Sequence, residues 1–170
     1  AGAPAAGATE DHCRSGGHGV RVRYADLELA EALSRATRHL RNADRSIPAL
    51  TIDCWTAHSP PIFTPFASTT GTTYVDDGQV VLTWDAAGQQ FLAYDRRHRY
   101  AWARFDSLAC TSTWEPAAPF RRILHWWAAD QGLQLVHAAA VGDETGGVLL
   151  VGRSGSGKST LLRAIAGLDH

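Results

Sequence analysis

The sequence has no methionine, only three cysteines and no long apolar run, and each shortage narrows what the chain can be. Cys13, Cys54 and Cys110 are far apart and odd in number. They make neither a disulfide framework nor a C-x-x-C metal pair, which fits a reducing compartment. No stretch approaches the roughly 18 apolar residues a bilayer crossing demands, so no membrane span is expected. Ala1–Thr9 lacks the charged start and apolar centre of a secretion signal, and the expected compartment is the cytoplasm. An excess of either charge is missing too. Sixteen basic against seventeen acidic residues leave a net charge of −1, so no global attraction to nucleic acid or anionic membrane exists. The short basic runs Arg96-Arg97-His98-Arg99 and Arg121-Arg122 are expected to face solvent. The eight histidines include no H-x-x-x-H or H-x-H pair. His12-Cys13 with His18 is a candidate metal grouping, weakened by the need for three or four ligands to converge.

What the sequence does have is a glycine-rich loop near its end. Gly152-Arg153-Ser154-Gly155-Ser156-Gly157-Lys158-Ser159 fits G-x-x-x-x-G-K-[ST] at every constrained position. The apolar run Gly147–Val151 precedes it, and a helix-like stretch from Thr160 to Ala166 follows. That strand–loop–helix setting separates a phosphate loop from a chance match. The glycines let backbone N–H groups aim at phosphate oxygens, and the helix adds its positive N-terminal end. Residues 152–160, Thr160 included, are therefore the expected nucleotide-binding segment. Lys158 would reach the β- and γ-phosphates of ATP, and the Ser159 hydroxyl would ligate Mg²⁺.

A phosphoryl-transfer enzyme also needs a carboxylate for the metal and a residue that prepares the nucleophile. Only Asp169 follows the loop helix. Together with the start at Ala1 and the end at His170, this reads as an internal piece of a longer protein, inactive by itself.

The pattern upstream is β-rich. Residues 1–17 are small and polar and read as a disordered lead-in. Gly19–Tyr24 alternates like a half-buried strand. Asp26 is placed to cap a helix running to about Asn42, with Leu29, Leu33, Thr37 and Leu40 on one face. Ala49–Trp55 reads as a strand, and Pro60-Pro61 and Ser68–Thr73 as loops. Three strands follow in close order, Gln79–Trp84, Gln89–Tyr94 and Arg99–Phe105, as a meander with Ala86-Ala87-Gly88 and Arg96-Arg97-His98 as its short connections. The aromatics Trp84, Phe91, Tyr94, Tyr100, Trp102 and Phe105 are expected in the core. A helix is expected from Pro116 to Asp130, with Phe120, Ile123, Leu124 and Trp127 on one face and Gly132 at its end. Leu133–Val141 reads as a buried strand, and Asp143–Gly146 as a turn into the loop strand. The fold class is α/β, α+β overall: a β-rich domain over 18–115 and the start of a phosphate-loop domain over 116–170.

His137, in Leu135-Val136-His137-Ala138-Ala139, has two readings. An imidazole in an apolar strand is commonly a hydrogen-bonded core residue. A short turn into the loop strand can instead bring it beside transferring phosphate, as an orienting or acid–base group.

The segment Leu133–Leu162, with its V-H-A strand, a turn, G-V-L-L-V-G and R-S-G-S-G-K-S, resembles the catalytic core of HPr kinase/phosphorylase. The helix carrying His125-Trp126-Trp127 is similar to these proteins as well. The clear match covers about Pro119–Gly167. The resemblance implies active-site roles for His137 and Lys158, Mg²⁺ on Ser159, and ATP-dependent transfer to a serine of a protein or peptide. It departs where family members commonly carry an acidic residue and this chain has Thr160. Two alternatives stay open. Gly152–Asp169 alone would suit an ABC-type or other phosphate-loop ATPase, and an inert nucleotide-binding module is the third class. Besides nucleotide and acceptor, a second copy of the chain is a compatible partner.

Overall fold

The computed structural model describes residues 9–42, 46–56, 72–85, 90–106, 118–153 and 155–167. Several expectations lie outside them: the Pro60-Pro61 loop, most of Ser68–Thr73, the Ala86-Ala87-Gly88 connection, Cys110, Ser154 and Asp169. The structure is mixed α/β and strand-rich. Two compact units divide it, Ala1–Leu133 and Gln134–His170.

The first unit holds strands β1 (Thr9–Ser15), β2 (His18–Tyr24), β3 (Leu50–Thr56), β4 (Thr72–Asp76), β5 (Val80–Asp85), β6 (Gln90–Asp95) and β7 (Tyr100–Phe105), with helices α1 (Leu27–Thr37) and α2 (Arg121–Asp130). One seven-stranded sheet runs in the order β1-β2-β3-β7-β6-β5-β4. The β4–β7 meander is antiparallel throughout, as short connections dictate. The centre is parallel: β2 beside β3, and β3 beside β7. Helix α1 lies between β2 and β3 in sequence, supplying the longer connection that parallel neighbours require.

Alternation decides which side is covered. Val20, Val22 and Tyr24 of β2, Leu50, Ile52 and Cys54 of β3, and Ala101, Ala103 and Phe105 of β7 enter one hydrophobic cluster. Leu29, Ala30 and Leu33 of α1 join it, as do Ile123, Trp127 and Ala128 of α2. The intervening residues give the other face a polar network. Arg23 donates to both oxygens of Asp53 at 2.6 and 2.7 Å, and the Tyr100 hydroxyl bonds to both residues. The aromatics divide accordingly. Tyr94 and Phe105 belong to the core cluster, Phe91 is buried outside it, and Trp84, Tyr100 and Trp102 are half-buried.

Asp26 caps α1 as expected, its Oδ1 accepting from the Leu29 N–H at 2.7 Å, a contact worth about 1 kcal/mol. The helix stops at Thr37, followed by one 3₁₀ turn over Arg38–Leu40, which leaves Leu40 exposed. It does not reach Asn42 because that residue's N–H donates to the His12 carbonyl at 2.9 Å, drawing the chain onto β1.

Three further corrections concern boundaries. Thr9–Ser15 is no disordered lead-in but a strand paired with β2 over its whole length. Of its residues only Cys13 is buried, so an edge strand this polar gives almost no hydrophobic signal. Thr72–Asp76 is likewise a strand, paired with β5, where Ser68–Thr73 was expected to be loop. Finally, the helix expected to open the phosphate-loop domain belongs to the first unit. Phe120, Ile123 and Trp127 bury their side chains in the sheet's own cluster, and the division falls at Leu133/Gln134 rather than near 116.

The second unit is small. Strands β8 (Ala138–Asp143) and β9 (Gly146–Val151) form an antiparallel hairpin, and helix α3 (Lys158–Ala166) lies against β8. The expected turn is tied by Asp143, whose Oδ1 accepts from the N–H groups of Thr145 at 2.7 Å and Gly146 at 3.2 Å. The buried strand expected over Leu133–Val141 is corrected on both counts. Residues 133–137 are outside any strand, and Leu133, Leu135 and Val136 are exposed. Pairing starts only at Ala138, opposite Val151, because the next residue on the partner side, Gly152, already leaves the ladder for the loop.

Candidate functional site

The glycine loop joins β9 to α3, so its two ends are held by a strand ladder and by the first helical turn. Gly155 and Gly157 have φ of 77° and 83°, left-handed values that glycine adopts without penalty. Gly152 answers a different need. A Cβ there would lie 2.8 Å from the Ser156 Oγ, so the loop closes over a space that only hydrogen leaves free. The Ser156 N–H donates to the Arg153 carbonyl at 3.2 Å, which tightens the turn.

Lys158 reaches back across this turn. Its Nζ donates to the carbonyls of Gly152 and Arg153, both at 2.8 Å. The ammonium is thus held over the loop by backbone acceptors, and the side chain is half-buried. Lys158 is also the single lysine of the sequence. Helix α3 starts at this residue with Gly157 as its cap and no side-chain acceptor on its first N–H groups. The first intrahelical bond is Leu161 N–H to the Gly157 carbonyl at 2.9 Å. The N–H groups of Lys158, Ser159 and Thr160 are therefore without helical partners, as at any helix start, and can receive an anion. Ser159 and Thr160 are exposed at this end.

His137 precedes Ala138, which pairs with Val151, and Gly152 follows Val151. His137 therefore lies one residue before the last paired position of the hairpin, and the loop begins one residue after that pair. It is exposed, and among the described residues it has no hydrogen-bond partner. This removes the core-histidine reading, since a structural imidazole would be buried and bonded. The structure thus brings together two parts of the expected site, the loop glycines and Lys158; His137 has no described contact with either.

The metal grouping is not assembled. His12 bonds to Glu10 at 2.5 Å, and the His18 ring packs edge-on against Trp127 at 5.6 Å. Among the described residues no three His, Cys, Asp or Glu side chains converge. The basic runs behave largely as expected. Arg97, His98, Arg99, Arg121 and Arg122 are exposed, but Arg96 bonds to Asp76 at 2.8 Å and to Asp130 at 3.3 Å. No described helix is long and apolar enough to cross a membrane.

Comparison with protein-family models, curated proteins and solved structures finds no match for this chain. The functional reading therefore rests on the loop and its surroundings.

Sequence reasoning missed the Arg23–Asp53–Tyr100 network and the strand β4. The first joins residues of three strands far apart in the chain, and no local pattern could reveal it. The second had a signal in Thr72-Thr73-Tyr74-Val75, all strand-favouring types.

Proposed function

We propose that the second unit binds ATP and that the protein containing it transfers the γ-phosphoryl group to a serine hydroxyl of a protein or peptide, as an HPr-kinase-like enzyme does. The observation that carries this reading is the Lys158 ammonium suspended over a glycine turn, at the start of a helix whose first N–H groups have no side-chain cap.

The residues fit a nucleotide's phosphates. The loop turns on glycines at 155 and 157, and its donors include backbone N–H groups and one ammonium. Phosphate oxygens would displace the carbonyls of Gly152 and Arg153 as partners of Lys158, exchanging neutral acceptors for charged ones and so strengthening each bond. Ser159 is the residue that would hold Mg²⁺, an ion that commonly takes one or two protein ligands and completes its shell with phosphate and water. When bound, the ion neutralises phosphate charge. Lys158 and the N–H groups at the start of α3 stabilise charge on the transferred group, in the manner of a preorganised donor set. In this reading His137 orients the phosphoryl group or relays a proton at its ring nitrogen.

Titration calorimetry with Mg-ATP tests the first step. Wild-type chain is expected to bind, and Lys158→Ala to lose measurable binding while keeping its melting temperature. Equal affinity in the two would end the assignment.

A further inference from the structure

The two outer strands of the seven-stranded sheet are treated differently. At β1 the chain covers its own edge: Cys13 bridges to Arg41, the Asn42 N–H donates to the His12 carbonyl, and Arg41 pairs with Asp11 at 3.0 Å. At β4 no described residue pairs with the outer edge. Tyr74 is 59% exposed and Val75 41% exposed. The strand reads Thr-Thr-Tyr-Val-Asp, without the lysine or proline that usually blunts an open edge.

The hydrogen-bonding phase of β4 follows from one bond. The Asp77 N–H donates to the Val80 carbonyl at 3.2 Å, so residues 77, 75 and 73 direct their backbone groups to β5. Thr72, Tyr74 and Asp76 therefore direct theirs outward. A second strand laid antiparallel with Tyr74 opposite Tyr74 places Thr72 opposite Asp76 and Asp76 opposite Thr72. Every outward N–H and C=O then has a partner, and no like charges face each other. Asp76 is moreover held by Arg96 of its own chain. Shifting the register by two residues in either direction leaves an outward residue unpaired. The strand is thus complementary to itself about a two-fold axis through Tyr74.

We infer that β4 is a dimerisation edge, joining two copies of this chain into one continuous antiparallel sheet. An isologous contact of this kind closes on itself. The interface requires nothing of the phosphate loop and stands apart from the proposed activity.

Site-specific crosslinking tests the register. In Tyr74→Cys the two thiols would face each other at a Cα separation of about 5.5 Å, inside the range a disulfide spans. Mild oxidation is expected to give a covalent dimer. Thr72→Cys is expected to give none, because its counterpart lies four residues along the opposite strand, roughly 13 Å away. Sedimentation velocity over a concentration series is expected to show a reversible dimer for the wild type. Tyr74→Pro, which removes one outward N–H but no bond to β5, is expected to weaken it at least about ten-fold with an unchanged circular dichroism spectrum. Should Tyr74→Pro fail to fold, the two cysteine variants decide alone. A wild-type chain that stays monomeric at every concentration overturns the inference. So does a Thr72→Cys variant that crosslinks as readily as Tyr74→Cys, or binding of an unrelated extended peptide by a monomer.

Discussion

The two units put their apolar side chains to opposite uses. In the first, Leu29, Leu33, Leu50, Ile52 and Ile123 are completely buried around a sheet and two helices. In the second, Val148, Leu149, Val151 and Leu161 are all at least half exposed on a hairpin and a single helix. The first unit's shape is set by side-chain packing, which tolerates only small changes in volume. The second unit's described geometry is set by backbone: a ladder, two left-handed glycines and a lysine bonded to carbonyls. Chemistry is proposed where packing is thin, and packing is dense where no chemistry is proposed.

One substitution made in both places sharpens that contrast. Leu33→Ala leaves a cavity in a closed core and is expected to cost about 2–5 kcal/mol. Leu149→Ala, on a side chain 55% exposed, is expected to stay within about 0.5 kcal/mol. Denaturant melts of both variants check this. Comparable losses would mean that Leu149 is covered and that the two units do not differ in kind.

The next effect is smaller in energy but concerns rate. His137→Asn in the protein that carries out the proposed transfer is expected to lower it at least about ten-fold, near 1.4 kcal/mol at the barrier. Its melting temperature should not move, because the ring is exposed and has no hydrogen-bond partner among the described residues. Rate and melting curve measured on the same preparation separate the roles. A stable variant with full turnover would remove His137 from the site and favour a plain ATPase over a kinase.

The smallest expected effect is electrostatic and belongs to the first unit. Hydrogen bonds from Arg96, with help from the Gly78 N–H, hold the Asp76 carboxyl down at about 2, against an ordinary 3.8. A carboxyl depressed by folding contributes stability above its unfolded value. That contribution is lost as pH falls from 3.8 through about 2. Asp76→Asn should flatten the acid side of the stability profile in this window and leave neutral pH nearly untouched, as surface pairs do. Acid melts of wild type and variant compare the slopes. Identical slopes would assign the acid sensitivity to other carboxyls, of which Asp77, Asp95 and Asp143 are also lowered.

How much of this was legible in the sequence follows the same division. Strands β5 and β7 and the cap at Asp26 were readable because period-two burial and a side-chain acceptor leave local signatures. Strand β1 was not, since an edge strand with one buried residue lacks periodicity. Nor was the place of α2, because an amphipathic helix announces that it has an apolar face but not which surface receives it. In the second unit the loop was legible as a motif. The exposure of His137 was not, since Leu135-Val136 reads as buried strand until the ladder is seen to begin at Ala138.

The parallel centre of the sheet also sets a timetable. Strand β3 lies against β7 from Thr51 opposite Tyr100 onward, partners separated by forty-nine positions in the chain. At a synthesis rate of about 5–20 residues per second, β3 leaves the ribosome roughly 2–10 s before the strand that completes it. Through that interval its apolar Leu50, Ile52 and Cys54 lack β7 and have the β1–β2 hairpin and α1 as described cover. The Asp26 cap, which also accepts a bond from Thr56 at the end of β3, falls within this early piece. Nascent chains halted before Tyr100 should therefore be the ones that chaperones hold longest.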